Sequence, residues 1–203
     1  VMIIGSLLAL LPFVLLVIAS FTDNQTALVN GYSFTPEKWS LAAYEYIAAQ
    51  WTTIGRAYVM TIVVTVVGTV LSLVITSAFA FAVSNDKLPG QKILMFLCIF
   101  TMLFNGGIVA SYYIYSNVFH IRNTIWALIM PNLLLSPFNV VLVKNYFTNS
   151  ISPSILEAAR IDGAGVFSVF IKIVIPLSVP ILATVGLMTA IAYWNDWTNG
   201  LYY

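Results

Sequence analysis

The chain has 203 residues, of which 61% are hydrophobic and 7% charged, with a mean hydropathy of +0.96. Soluble domains carry about 25% charged residues, so the composition excludes an ordinary water-soluble globule and points to an integral membrane protein. The 8 Lys and Arg against 7 Asp and Glu leave a net charge of +1 with no basic run to hold a nucleic acid. Cys98 is the single cysteine, so a disulfide within the chain is excluded, and its place in an apolar run reads as packing.

Crossing a bilayer as a helix takes about 20 apolar residues, and five stretches qualify, which predicts an all-α, polytopic membrane protein. The first is Val1 to Phe21, with Pro12 inside it. It has no charged leader and is longer than a signal-peptide core, so it reads as a transmembrane helix whose native start is missing. Residues 22–50 are polar and aromatic, in keeping with a loop at a membrane–water boundary, and Ser40–Gln50 has the makings of a short interfacial helix. The second span, Ala57 to Val83, carries Gly68, Ser72, Ser77 and Ala78, small residues that let helices approach closely. Its many β-branched residues suit a strand, but a lone strand in lipid leaves its backbone unpaired, so helix is expected.

A turn over 84–92 follows, broken by Pro89-Gly90. The third span, Ile93 to Tyr115, is interrupted by Asn105-Gly106-Gly107, and the fourth, Thr124 to Val143, holds Pro131, Asn132, Pro137 and Asn139. The fifth runs from Leu177 to Tyr193 and leads into the tail WNDWTNGLYY.

Between the last two spans lies a mixed stretch, Ser152 to Pro180. Ser154 and Glu157 have the spacing of a capping box, in which the hydroxyl and the carboxylate each accept from the other's backbone N–H. That predicts a short helix over 154–163, opened by the Ser154 cap and stopped by the permissive backbone of Gly163 and Gly165. A second apolar segment, Val166 to Ile175, is expected to stop at Pro176.

Glu157-Ala158-Ala159, then Gly163, then Ile173, Ile175 and Pro176, resemble the EAA motif of ABC importer permeases. Ile175 stands where leucine is usual. The flanking RIDGAG and the later WNDW look most like the sugar-importer branch, and Phe104-Asn105-Gly106-Gly107 resembles the second permease of importers for complex or acidic oligosaccharides. The resemblance implies a single type I ABC-importer transmembrane domain over 1–203, in a bacterial-type plasma membrane, with a sixth span beyond this chain. It implies a coupling helix docked in a groove of an ATPase, with Glu157, Ala158, Ala159, Arg160, Asp162, Gly163, Ile173 and Pro176 as coupling residues. It also implies the partners: a second homologous permease, two ATPase subunits, an extracellular solute-binding protein and a saccharide. If the 144–176 loop is cytoplasmic, that side holds Lys87, Lys92, Lys144, Arg160 and Lys172 against Lys38, Arg56 and Arg122 outside, a bias of the expected sign.

No G-x-x-x-x-G-K-[ST] occurs, so the chain binds no nucleotide by that route, and ATP and Mg belong to the partner ATPase. His120 is the lone histidine and has no second imidazole for a metal site. No catalytic residue is expected, and the spans contain too few charges for ion-coupled transport. Asn105, Asn132 and Asn139 are candidates for the solute path, with helix packing and repair of proline-freed carbonyls as competing readings. Tyr112, Tyr193 and Asn195 join them, because aromatic faces stack on sugar rings and amides bond hydroxyls. The competing reading for these aromatics is the interfacial belt.

Overall fold

A computed structural model describes residues 2–85 and 88–203; Asp86 and Lys87, the latter counted on the cytoplasmic side, lie outside the described residues. The described chain is helical, apart from one isolated antiparallel bridge between Thr22 and Trp39. It divides into two compact units, Val1–Val59 and Met60–Tyr203.

In the first unit, α1 (Met2–Ser20) is the apolar helix expected at the start, and Pro12 sits within it. The polar stretch after it is more ordered than its composition suggests. Helix α2 (Asn24–Asn30) opens on Asp23, whose carboxylate accepts from the Thr26 N–H, and closes on Gly31 at φ +74. Lys38 reaches Asp23 at 3.7 Å, and the backbone bonds Asp23 N–H to Lys38 O and Ser40 N–H to Phe21 O clip the loop shut. Helix α3 (Ala42–Ala49) is the short interfacial helix foreseen within Ser40–Gln50.

Helix α4 (Trp51–Ser84) runs 34 residues without a break and is long and apolar enough to cross a membrane alone. Gly68, Ser72 and Ser77 lie on its buried face, as their size predicts, whereas Ala78 faces outward and Ala80 takes the packed position. The turn after it ends in Gly90 at φ +83, which opens α5 (Gln91–Leu103). The third predicted span is broken, since α5 and α6 (Gly107–Tyr113, continuing through Val118) meet at 118°.

The fourth span is not the single helix expected over Thr124–Val143. Helix α7 (Trp126–Ile129) is a short turn, and α8 (Pro137–Ser150) begins only at Pro137. Pro131 has no N–H to extend α7, while Pro137 is favoured at a helix start, where its missing donor is unpaired anyway. Helix α8 also continues past Val143 to Ser150, because Val140, Val143 and Phe147 recur at helical spacing on its buried face.

Helix α9 (Pro153–Ile161) is followed by α10 (Val166–Val169), a wider π-type turn over Phe170–Val174, and α11 (Ile175–Leu177). Pro176 therefore does not stop this segment. The break falls at Ser178, after which α12 (Val179–Trp194) leaves at 79°. The π-type turn loosens the winding ahead of Pro176, and the Tyr146 hydroxyl donates to the Leu177 carbonyl at 3.3 Å. Helix α13 (Thr198–Tyr202) closes the described chain. Among the described residues, one uninterrupted helix and up to two bent pairs can cross a membrane by length and composition, against the five spans expected.

The core of the second unit gathers around α8. Val140, Val143 and Phe147 pack with Ala80 and Val83 of α4, Val174, and Val185 of α12. A second cluster joins Val64, Ile129 and Tyr193.

Candidate functional site

Two places concentrate the candidate residues. The first is α9. Its cap differs from the expected box, because Pro153 occupies the first helical position and so moves the cap back to Ser152. Ser154 is not the cap. Its hydroxyl pairs with that of Ser152 at 2.7 Å, and no side chain caps the helix N-terminus. Glu157, now two positions deeper than the capping box requires, is exposed on the helix surface, and among the described residues it has no ion-pair partner.

The other end closes as the glycine predicts. Gly163 is left-handed at φ +80. Its N–H bonds the Arg160 carbonyl at 3.1 Å and the Ala164 N–H bonds the Ala159 carbonyl at 2.9 Å, the paired bonds of a Schellman ending. Gly165 has φ −68 and needs no glycine. Ala159 and Leu156 anchor the helix to the core, while Ile155, Glu157, Ala158, Arg160 and Asp162 face out. Ile161 is 85% exposed and Phe167, on α10, 76%. Arg160 and Asp162, which flank Ile161 in the chain, are exposed as well. Ile173 packs on the core from the partly buried side, and Pro176 is exposed at the bend before Ser178.

The second place is a cavity of about 560 Å3 between the breaks of the third and fourth spans. Asn105 and Asn132, both path candidates, line it together with Gly106 and Tyr115. The Asn105 Oδ1 accepts from the Gly107 N–H at 2.9 Å, and Gly107 takes φ +75. At the facing break the Leu133 N–H bonds the Pro131 carbonyl at 2.8 Å, bending the chain so tightly that Asn132 is left-handed at φ +61.

The other candidates lie apart from this lining. Asn139 is buried and donates from Nδ2 to the Thr189 hydroxyl at 3.3 Å, tying α8 to α12. Tyr193 belongs neither to an interfacial belt nor to the lining: it is 2% exposed, and its hydroxyl donates to the Ile129 carbonyl at 2.9 Å. Asn195 closes α12 by donating to the Ile191 carbonyl at 2.9 Å. Tyr112 stacks near Tyr203 at 5.6 Å, with Arg122 lying 6.0 Å over its ring. Within WNDW, Asp196 Oδ1 accepts from the N–H groups of Thr198 and Asn199 and starts α13, while Trp194 and Trp197 are exposed.

Residues 78–201 match the family described as the binding-protein-dependent transport system inner membrane component. The chain belongs to this family. It is therefore a transport protein of the permease class rather than an enzyme. Its relatives include the polygalacturonan/rhamnogalacturonan transport system permease protein YtcP of Bacillus subtilis, 36% identical over 98% of this chain and 68% of the relative. Protein LplC of the same organism is 33% identical over 97% of this chain and 65% of its own length. A crystal structure of a bacterial ABC transporter involved in import of the acidic polysaccharide alginate superposes with a TM-score of 0.80 at 32% identity, covering 95% of this chain and 68% of that one. The chain thus spans about two thirds of the length of these relatives.

Proposed function

We propose that this chain is a transmembrane permease subunit of an ATP-driven carbohydrate importer in a bacterial inner membrane, with acidic oligosaccharides as its first candidate substrates. The observation that carries the reading is α9: a short helix closed by a Schellman ending, anchored by Ala159 and Leu156, and presenting Ile161 and Phe167 to solvent. Such an element transmits force, because its core side cannot slip and its outer side is free to be held. The similarity to YtcP and to the alginate importer supports the substrate class.

In this reading, 22–50 faces outside and the 84–92 and 144–176 loops face the cytoplasm. The chain pairs with a second homologous permease, and two ATPase subunits bind ATP and Mg and receive α9 in a groove. Closure of the ATPases moves Glu157 to Gly163, the bends at Gly107 and Ser178 transmit the motion, and the path opens to an external binding protein. Hydrolysis resets it. The importer reconstituted from the full-length permease and its partners is expected to accumulate an oligogalacturonate in vesicles only with ATP and the binding protein present. Accumulation that persists without ATP would sink the ATPase-driven reading. Accumulation of neutral oligosaccharides alone would sink the acidic-substrate part.

A further inference from the structure

The cavity has the chemistry of a ligand site as well as the place of a path. None of the side chains lining it is charged. Its volume, about 560 Å3, falls in the range of small-ligand sites, which combine an apolar lining with a few fixed polar groups. Here the polar residues are two amides, Asn105 and Asn132, with Tyr115 and with Thr101, whose hydroxyl donates to the Cys98 carbonyl at 2.8 Å. Asn105 commits its Oδ1 to the Gly107 N–H, so its Nδ2 remains to donate. The Asn132 amide has no hydrogen-bond partner among the described residues, although its backbone is held left-handed at φ +61. Asparagine is among the few non-glycine residues that visit that region, and it is held there where its surroundings enforce the turn.

The surroundings do enforce it. The break before Asn132 frees the carbonyls of Ile129 and Pro131, and both are claimed from the far end of α12 and from α13. Tyr193 donates to Ile129 at 2.9 Å and Asn199 Nδ2 to Pro131 at 3.2 Å, both bonds buried. Phe104, Tyr115, Met102 and Met130 supply apolar and aromatic faces around the two amides. A pyranose has the matching form, an apolar face of C–H groups rimmed by hydroxyls. An acyl chain would leave the amides unpaired.

Resting on the importer reading above, we infer that this cavity is a saccharide-binding subsite on this chain itself. It holds one sugar unit through its hydroxyls and ring face, with Asn105 and Asn132 as the polar contacts and Asn199 as a positioning residue. The test uses the complete importer in vesicles with its binding protein and an oligogalacturonate as probe. Asn132→Gly keeps the left-handed backbone and removes the amide. Asn105→Asp keeps the acceptor for the Gly107 N–H and removes the Nδ2 donor, so the two variants spare the local fold by different routes. Each is expected to raise the half-saturating concentration for uptake about tenfold, about 1.4 kcal/mol, the order of one hydrogen bond. ATP hydrolysis stimulated by the loaded binding protein stays within about twofold of wild type. Asn105→Asp also places a carboxylate facing an anionic sugar, so it shows the larger shift of the two. Asn199→Asp, which cannot donate to Pro131, raises half-saturation without lowering the maximal rate. Unchanged half-saturation in both Asn105→Asp and Asn132→Gly, with wild-type uptake intact, overturns the subsite and leaves the importer reading standing. No ATP-driven uptake by the wild-type importer overturns both.

Discussion

Replacing Gly68 with leucine is expected to destabilise the second unit by about 3 kcal/mol, the sum of overpacking and a broken buried hydrogen bond. A Cβ at Gly68 would stand 2.5 Å from Cζ of the Tyr193 ring, closer than any real Cβ contact allows. The ring cannot simply swing away, because its hydroxyl is the partner of the Ile129 carbonyl and the side chain is 2% exposed. Moving it leaves a buried carbonyl unpaired and loosens the break next to Asn132. Thermal unfolding of the purified full-length permease in mild detergent checks this, with a fall in the midpoint on the order of 10 °C. Tyr193→Ala on the same background is expected to recover part of the loss, since a coupled pair does not add. A midpoint within 2 °C of wild type for Gly68→Leu alone would mean that α4 and α12 do not meet as described.

Gly163→Val is expected to leave membrane insertion and thermal stability nearly intact while cutting saccharide uptake about tenfold or more. At φ +80 a β-branched residue is strained whatever the space, and around Gly163 the space is open. The strain therefore falls on the turn itself. The Gly163–Arg160 and Ala164–Ala159 bonds that end α9 are lost, and the helix no longer keeps its aim between its anchor on Ala159 and its exposed face. Gly163→Asn, which tolerates the left-handed region, is expected to retain most uptake. Gly165→Val, at φ −68, is expected to behave as wild type. ATP hydrolysis and uptake measured on the same vesicles separate uncoupling from lost assembly: in Gly163→Val hydrolysis survives and uptake does not. Uptake at the wild-type level would show that α9 does not need this ending.

What the sequence revealed and what it hid divide along physical lines. A long uninterrupted apolar run has one solution in lipid, so α4 was legible, and so was the ending of α9, because Gly163 marks a left-handed position. Asn105-Gly106-Gly107 announced the first break. Where two local rules competed, the outcome was hidden. Ser154 and Glu157 satisfy the capping-box spacing, but Pro153 is a stronger start signal and takes the first helical position, leaving Ser152 as the cap. Pro176 reads as a terminator, yet the widened turn before it carries the helix to Leu177.

The second break was half legible. Pro131 and Pro137 were seen, but whether they kink a helix or end it depends on who satisfies the freed carbonyls. The answers, Tyr193 and Asn199, lie more than 60 positions away in sequence. For the same reason Tyr193 and Asn139 looked like path residues and are buried structural bonds, while Tyr115 lines the cavity. Asn199 carried no signal of its own, although Asp196, which caps the turn that aims it, stands within WNDW.

The most direct test of the account is photo-cross-linking from position 161 in the full-length permease, expressed with its native partners. Ile161 is 85% exposed on α9, so a photoreactive side chain there is open to a partner. The expected result is a covalent adduct with a P-loop ATPase, and none from the same probe at the buried Val143. A permease that inserts and transports saccharide yet gives no ATPase adduct from position 161 would contradict it.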